Sequence, residues 1–192
     1  MRRSREDTAK TRRRIVETAS RLFRARGITP VSVADIMGAL GLTVGGFYRH
    51  FESKEALVAE AIEAASDETA SRHAKATADA ELASTLIDDY LSRAHRDHAD
   101  LGCPVAALCS EVAHESLPTK EAFTKAMYRL LDIVGGVVPG DAEKARDRRL
   151  FAAASMVGAV VLSRATSDER LADDLLRAVR SGVLRDATGE RT

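Results

Sequence analysis

Thr43, Val44, Gly45 and Gly46, followed by Tyr48, Arg49 and His50, have the residue types that a helix reading nucleic acid needs. Small side chains at a helix start let the backbone come close to a duplex, and the free amides of a first helical turn suit phosphate oxygens. One turn later a phenol, a guanidinium and an imidazole can reach phosphates or base edges, and Lys54 adds a cation at the start of the next helix. Other chemistry has less support. The chain contains no Gly-rich phosphate loop, nucleophile elbow or HExxH, and Asp88 with Asp89 reads as a solvated helix face, so no enzyme is expected. His95, His98, Cys103, Cys109 and His114 are metal-ligating types, but their spacings fit no familiar zinc arrangement, so neither metal nor cofactor is expected.

The elements that must position these residues are helices. Residues 1–9 are polar and Arg-rich and read as a flexible basic arm. From Lys10, apolar residues at Ile15, Ala19, Leu22 and Phe23 recur at helical spacing as far as Arg26, and Gly27 suits a helix C-terminus. Ser32 with Asp35 three residues later resembles a capping box for the short helix "VADIMGAL", Gly41 ends it, and Thr43 can cap the next, "VGGFYRHF". Two short helices about a tight Gly-containing turn form a helix-turn-helix pattern. Phe47 and Phe51 fall on its apolar side and read as core. Tyr48 can face DNA or pack at the domain seam, and Arg2, Arg3 and Arg5 can be a solvated tail or a DNA-binding arm.

From Ser53 a long helix runs toward Ala80, and Leu82 to His98 reads as one further helix. Pro104 and Pro118 open two more, reaching about Glu115 and Val138. After the break "VVPGD", helices over Asp141 to Ala165 and from a Ser167 cap through "DERLADDLLRAVRSGVL" follow. No strand pattern is found. The fold expected is all-α with about nine helices: a helix-turn-helix domain at 10–54, a ligand-binding and dimerisation domain at 55–185, and a polar tail at 186–192.

The formal net charge is zero, but residues 1–50 hold 11 Lys and Arg against 4 Asp and Glu, leaving 18 against 25 in the rest. The basic part is thus segregated where it can address phosphate. Two cysteines without CxxC spacing suggest a reducing compartment, and no stretch approaches 18 apolar residues, so a cytoplasmic chain with no membrane partner is expected.

The stretch "TPVSVADIMGALGLTVGGFYRHFESKEAL", with Tyr48 two positions before His50 and the run from Phe51 through Ser53, Lys54 and Glu55 to Leu57, resembles the DNA-binding signature of TetR-family regulators. The resemblance covers roughly residues 10–62. It implies a homodimeric repressor on palindromic double-stranded operator DNA, with phosphate contacts from Ser32, Thr43, Tyr48, His50 and Lys54. Base or close groove contacts are implied for Val44, Gly45 and Arg49, with Gly46 beside them. Many members carry Ser, Thr or Gln where this chain has Val44 and Gly46, so the resemblance implies that Arg49 carries much of the base readout, with Val44 suited to a thymine methyl.

The same resemblance implies that the C-terminal bundle binds a small-molecule inducer. Apolar stripes including Leu86 and Tyr90, Leu108 and Val112, and Phe123 and Met127 could enclose a pocket, or be ordinary core. Cys103 in "GCPVAALCSEV" resembles the cysteine of members that sense electrophiles or oxidants, and its place near a helix start favours thiolate; the alternative is a small buried hydrophobe. The last two long helices are expected to dimerise through Ala152, Met156, Ala159 and Leu162 on one and Leu171, Leu175 and Val179 on the other, unless Leu150 to Leu162 is the central helix of a protomer core. The runner-up function is a helical enzyme fused to a DNA-binding head.

Overall fold

A computed structural model describes residues 5–73, 80–138 and 142–188, with side chains over 5–73, 84–138 and 145–185. Among these residues the chain is all helical, with no strand. The order is α1 (Arg5–Arg26), α2 (Val33–Ala39), α3 (Val44–Phe47), α4 (Lys54–His73), α5 (Ala80–Tyr90), α6 (Arg93–Asp97), a 3₁₀ turn (Ala99–Leu101), α7 (Pro104–Val112), α8 (Leu117–Gly135), α9 (Ala142–Ala165) and α10 (Glu169–Thr188). No helix among the described residues is long and apolar enough to cross a membrane.

Helix α1 starts at Arg5 rather than Lys10, because Glu6 and Asp7 in its first turn oppose the positive end of the helix dipole. The arm expected over residues 1–9 is therefore helical from residue 5, and residues 1–4 lie outside the described residues. The expected tail likewise begins later, since α10 runs to Thr188, with 189–192 outside them. So do residues 74–79, toward which α4 was expected to run, and Pro139 to Asp141 of the "VVPGD" break.

The stretch Leu82 to His98, expected as one helix, is two. Ser92 adopts extended backbone and its hydroxyl accepts the His95 amide, so it closes α5 and caps α6. At the last helix Asp168, not Ser167, is the cap: its carboxylate accepts the Arg170 amide at 2.9 Å and the Leu171 amide at 3.2 Å.

The head packs on Ile15, Ala19 and Phe23 of α1, Ile36 and Met37 of α2, Phe47 and Phe51, and Leu57 and Val58 of α4, all buried. Each large apolar side chain so covered contributes about 1.5–3 kcal/mol. Phe47 and Phe51 stack with centroids 5.4 Å apart, and the Arg12 guanidinium lies 4.4 Å from the Phe51 ring while pairing with Glu60 on α4 through two hydrogen bonds of 2.5 and 2.6 Å. That brace fixes α1 against α4. In the remainder α8 packs along α4, and α9 packs between α8 and α10. Arg180 of α10 forks onto Asp88 of α5, an ion pair on a face that stays open to solvent at Asp88 and Asp89, as expected.

Candidate nucleic-acid interface and cavity

Helix α2 is closed at its start by the capping box expected from Ser32 and Asp35. The Ser32 hydroxyl accepts the Asp35 amide at 3.1 Å, and the Asp35 carboxylate accepts the Ser32 amide at 2.8 Å. The Ser32 hydroxyl also donates to this carboxylate, which holds Asp35 below the usual carboxylate range. Gly41, at φ +66°, makes the turn out of α2, a conformation that L side chains rarely adopt. Thr43 stands at the N-cap position of α3, but its side chain makes no capping bond there, contrary to the role expected for it. Regular helix then lasts only four residues, and the chain continues to Phe51 as a turn held by His50 N–H to Phe47 O at 2.8 Å and Phe51 N–H to the same oxygen at 3.1 Å. The glycine pair explains the shortness, since each Gly weakens a helix by roughly 1 kcal/mol relative to Ala.

Thr43, Gly45, Gly46, Arg49 and His50 line one groove together with Thr11, Met37, Gly41 and Leu42. Val44 and Tyr48 stand beside it, 43% and 64% exposed, unusual positions in a head whose other large apolar side chains are at least partly covered. Arg49 is also exposed. A methyl group added to Gly45 would meet nothing within 4 Å, so no contact among the described residues explains why the residue is glycine. Lys54, expected to add a phosphate contact, donates from its ammonium to the Ile28 carbonyl at 2.6 Å and lies 5.9 Å from the Phe23 ring, which leaves two of its three hydrogens for another acceptor.

Behind the head, α4, the end of α5, α6 and the turn before α7 enclose a cavity of about 280 Å³. Of the seven residues expected to line a pocket, Tyr90 and Cys103 do so. Leu86, Leu108 and Val112 are 1–3% exposed and belong to the packed core, while Phe123 and Met127 are half-buried on α8 against that core. The other lining residues include Thr69, Arg72, His73, Asp89, His95 and His98, a polar set that a search for apolar stripes passes over. Among the described residues no three His, Cys, Asp or Glu side chains are grouped to hold a metal ion.

His95 organises this cavity. Its Nδ1 lies 2.7 Å from the Tyr90 carbonyl and its Nε2 accepts the Cys103 amide at 3.0 Å, an arrangement that needs the neutral imidazole with its proton on Nδ1. Burial agrees with that state, lowering its pKa to about 4. Arg164 of α9 donates to the His95 and Arg96 carbonyls at 2.7 and 2.9 Å. The Tyr90 hydroxyl is buried and meets no hydrogen-bond geometry among the described residues, and burial first, with the nearby Cys103 thiol, pushes its pKa well up. Cys103 is 4% exposed and Cys109 half-buried.

The expected dimer residues separate into two sets. Ala152, Met156 and Ala159 are 1–3% exposed and face the protomer's own core, so they are not available to a partner. Leu162 and Leu171 are 56% and 49% exposed, with Leu175 and Val179 half-buried. An outward residue that the expected set lacked is Phe151, 69% exposed and on the same face of α9 as Gly158 and Leu162. Sequence reasoning also missed Arg24 and Glu111. Nothing local marked them, because their partners lie 44 to 83 residues away.

Residues 15–61 match the family model described as "Bacterial regulatory proteins, tetR family". An uncharacterized HTH-type transcriptional regulator of Mycobacterium tuberculosis is 26% identical over 185 residues, covering 90% of this chain and 94% of its own length. In three dimensions the chain is similar to a TetR-family regulator from Cytophaga hutchinsonii, with a TM-score of 0.77 and 21% identity over 98% of both chains. It is also similar to the reduced form of NemR from E. coli, with a TM-score of 0.72 and 17% identity, covering 89% of this chain and 96% of that one. The reading head thus matches the TetR family of bacterial regulatory proteins, and the relative aligned along almost the whole chain is itself an HTH-type transcriptional regulator.

Proposed function

We propose that the chain is a repressor that binds double-stranded operator DNA as a homodimer and is released when its cavity is occupied or Cys103 is modified. The observation that carries the DNA reading is the groove beside α3. There Val44, Tyr48 and Arg49 are exposed around a Gly45 that no contact among the described residues requires. Bare backbone at the start of a reading helix permits close approach to a duplex, and the surplus of basic residues in 1–50 supplies the field for it. Tyr48, Thr43, His50 and Ser32 then serve phosphates, Lys54 adds its remaining hydrogens, and Arg49 reads bases with Val44, Gly45 and Gly46 against the groove.

Dimerisation is assigned to the outward faces of α9 and α10, with Phe151, Gly158 and Leu162 on one and Leu171 and Leu175 on the other. These side chains are apolar or absent and at least partly open, and two-fold pairing of the faces would form a four-helix contact. The inducer is assigned to the cavity that Tyr90 lines, where Thr69, Arg72, His73 and His98 supply polar groups for a ligand. The domain division follows from this: reading up to residue 54, sensing and pairing beyond it.

Selection of duplexes from a random pool tests the reading. The wild type should enrich a palindrome, and Arg49→Ala should lower affinity and relax preference at one position per half-site, whereas Tyr48→Phe weakens all sequences alike. Enrichment of no sequence would remove the assignment. For release, an alkylating agent should free DNA from the wild type and from Cys109→Ser but not from Cys103→Ser.

A further inference from the structure

The cavity and the reading head are joined by two direct ties. Arg24 on α1, 4% exposed, donates to the Gly102 carbonyl at 2.7 Å, to Glu68 of α4 at 3.0 Å and to the Ser20 carbonyl at 3.3 Å. Gly102 and its neighbour Cys103 line the cavity. At the far end of α7, the Glu111 carboxylate accepts the Ile28 amide at 2.8 Å and the Thr29 amide at 3.2 Å, on the loop that leads from α1 into α2. The Ile28 carbonyl takes the Lys54 ammonium, so this one residue is held from both sides. Gly27, at φ +89°, lets the carboxylate in, since a side chain there would place its Cβ 2.5 Å from Glu111 Oε1. Helix α7 is a rod of nine residues, about 13 Å long. Its start is pinned to the cavity by the Cys103 amide on His95, and its end grips the head.

Resting on the regulator reading above, we propose that Arg24 and Glu111 form the joint through which the cavity loop, residues 99–103, sets the orientation of the helix-turn-helix. Neither side chain lines the cavity or the groove beside α3, so both are positioning residues. Charge-assisted hydrogen bonds are directional and short-ranged, so a loop displaced by about 1 Å cannot keep the Arg24 bond while the head stays still. A ligand that pushes the loop therefore moves α1 through Arg24 and the α1–α2 loop through α7 and Glu111.

The test uses the full-length chain, a duplex that the wild type selects from a random pool, and amide hydrogen exchange at Ile28 and Thr29. Glu111→Ala should speed exchange at both amides and weaken the duplex complex, each by about tenfold, with helix content unchanged. Glu111→Gln, which keeps one acceptor oxygen, should fall between, and Arg24→Lys, which keeps the charge but loses the fork, should weaken binding in the same direction. His95→Ala frees the cavity end of α7. It should speed exchange at Ile28 and Thr29 severalfold in the wild-type background and add little to Glu111→Ala, because the route is already cut. Unchanged exchange in Glu111→Ala, lost protection with full duplex affinity, or additive effects of the two substitutions would each overturn the joint. Should Glu111→Ala fail to fold, Glu111→Gln decides by the same measures. A wild type that selects no duplex would instead remove the regulator reading, while the exchange cycle between His95 and Glu111 still decides whether the loop and the head are coupled.

Discussion

At Gly45 the proposed duplex supplies a reason for glycine that the described residues do not. The residue weakens α3, occupies ordinary helical backbone and has open space where a methyl would go. Gly45→Ala should therefore raise the stability of the protein by about 0.5–1 kcal/mol while weakening operator binding. Thermal melts and duplex titrations on one preparation measure both; a variant that gains stability and keeps full affinity would show that the duplex does not need the space. His95 gives a second residue-level expectation. Its native pKa of about 4 lies below the 6.5 of an unfolded histidine. Between these values the unfolded chain binds a proton that the native chain refuses, so stability is lost as pH falls through this window and the loss stops below it. The loss amounts to at most about 3 kcal/mol. Asp35, Asp97 and Asp173, all held below the usual carboxylate range, act at lower pH. Melting midpoints between pH 7 and 4 should thus fall less in His95→Gln than in the wild type.

At the scale of elements, α9 has two apolar sides, and only one of them is spent inside the protomer. Ala152, Met156 and Ala159 face inward, whereas Phe151 and Leu162 face outward. The two sides make different predictions. Leu162→Arg should leave a folded chain that sediments as a monomer and binds operator weakly, while Ala159→Arg should lower helix content, because it forces a cation into closed packing. Equal sedimentation of Leu162→Arg and wild type, with operator affinity intact, would exclude the α9 face from the dimer. The split of α5 from α6 matters for the same reason. Ser92 breaks the helix so that His95 can turn back onto both Tyr90 and Cys103.

For the whole molecule, charge segregation predicts behaviour that no single contact does. Operator binding should weaken with salt along a straight line in logarithmic coordinates, with a slope of about −0.9 for each phosphate neutralised. A dimer that neutralises about six phosphates should lose roughly a thousandfold in affinity between about 50 and 200 mM salt. A flat dependence would mean that the basic residues of the first 50 positions do not meet the backbone of the duplex. The ion pairs of Arg12 with Glu60 and Arg24 with Glu68 tie α1, which carries much of this charge, to α4.

By itself the sequence determined what depends on near neighbours. The all-α class, the helix-turn-helix between Ser32 and Phe51, the capping box and the Gly41 turn follow from propensity, spacing and local hydrogen bonds, which act over a few residues. The head was legible residue by residue for that reason, apart from the Thr43 cap and the length of α3. The pocket and the dimer face were not. Helical periodicity tells that a face is apolar but not what covers it, so Leu86, Leu108, Val112 and the inward side of α9 were assigned to partners when the protomer's own core takes them. Only the tertiary structure brings His95 onto Cys103, Arg24 onto Gly102 and Glu111 onto Ile28, since bonds spanning up to 83 residues leave no mark in local spacing.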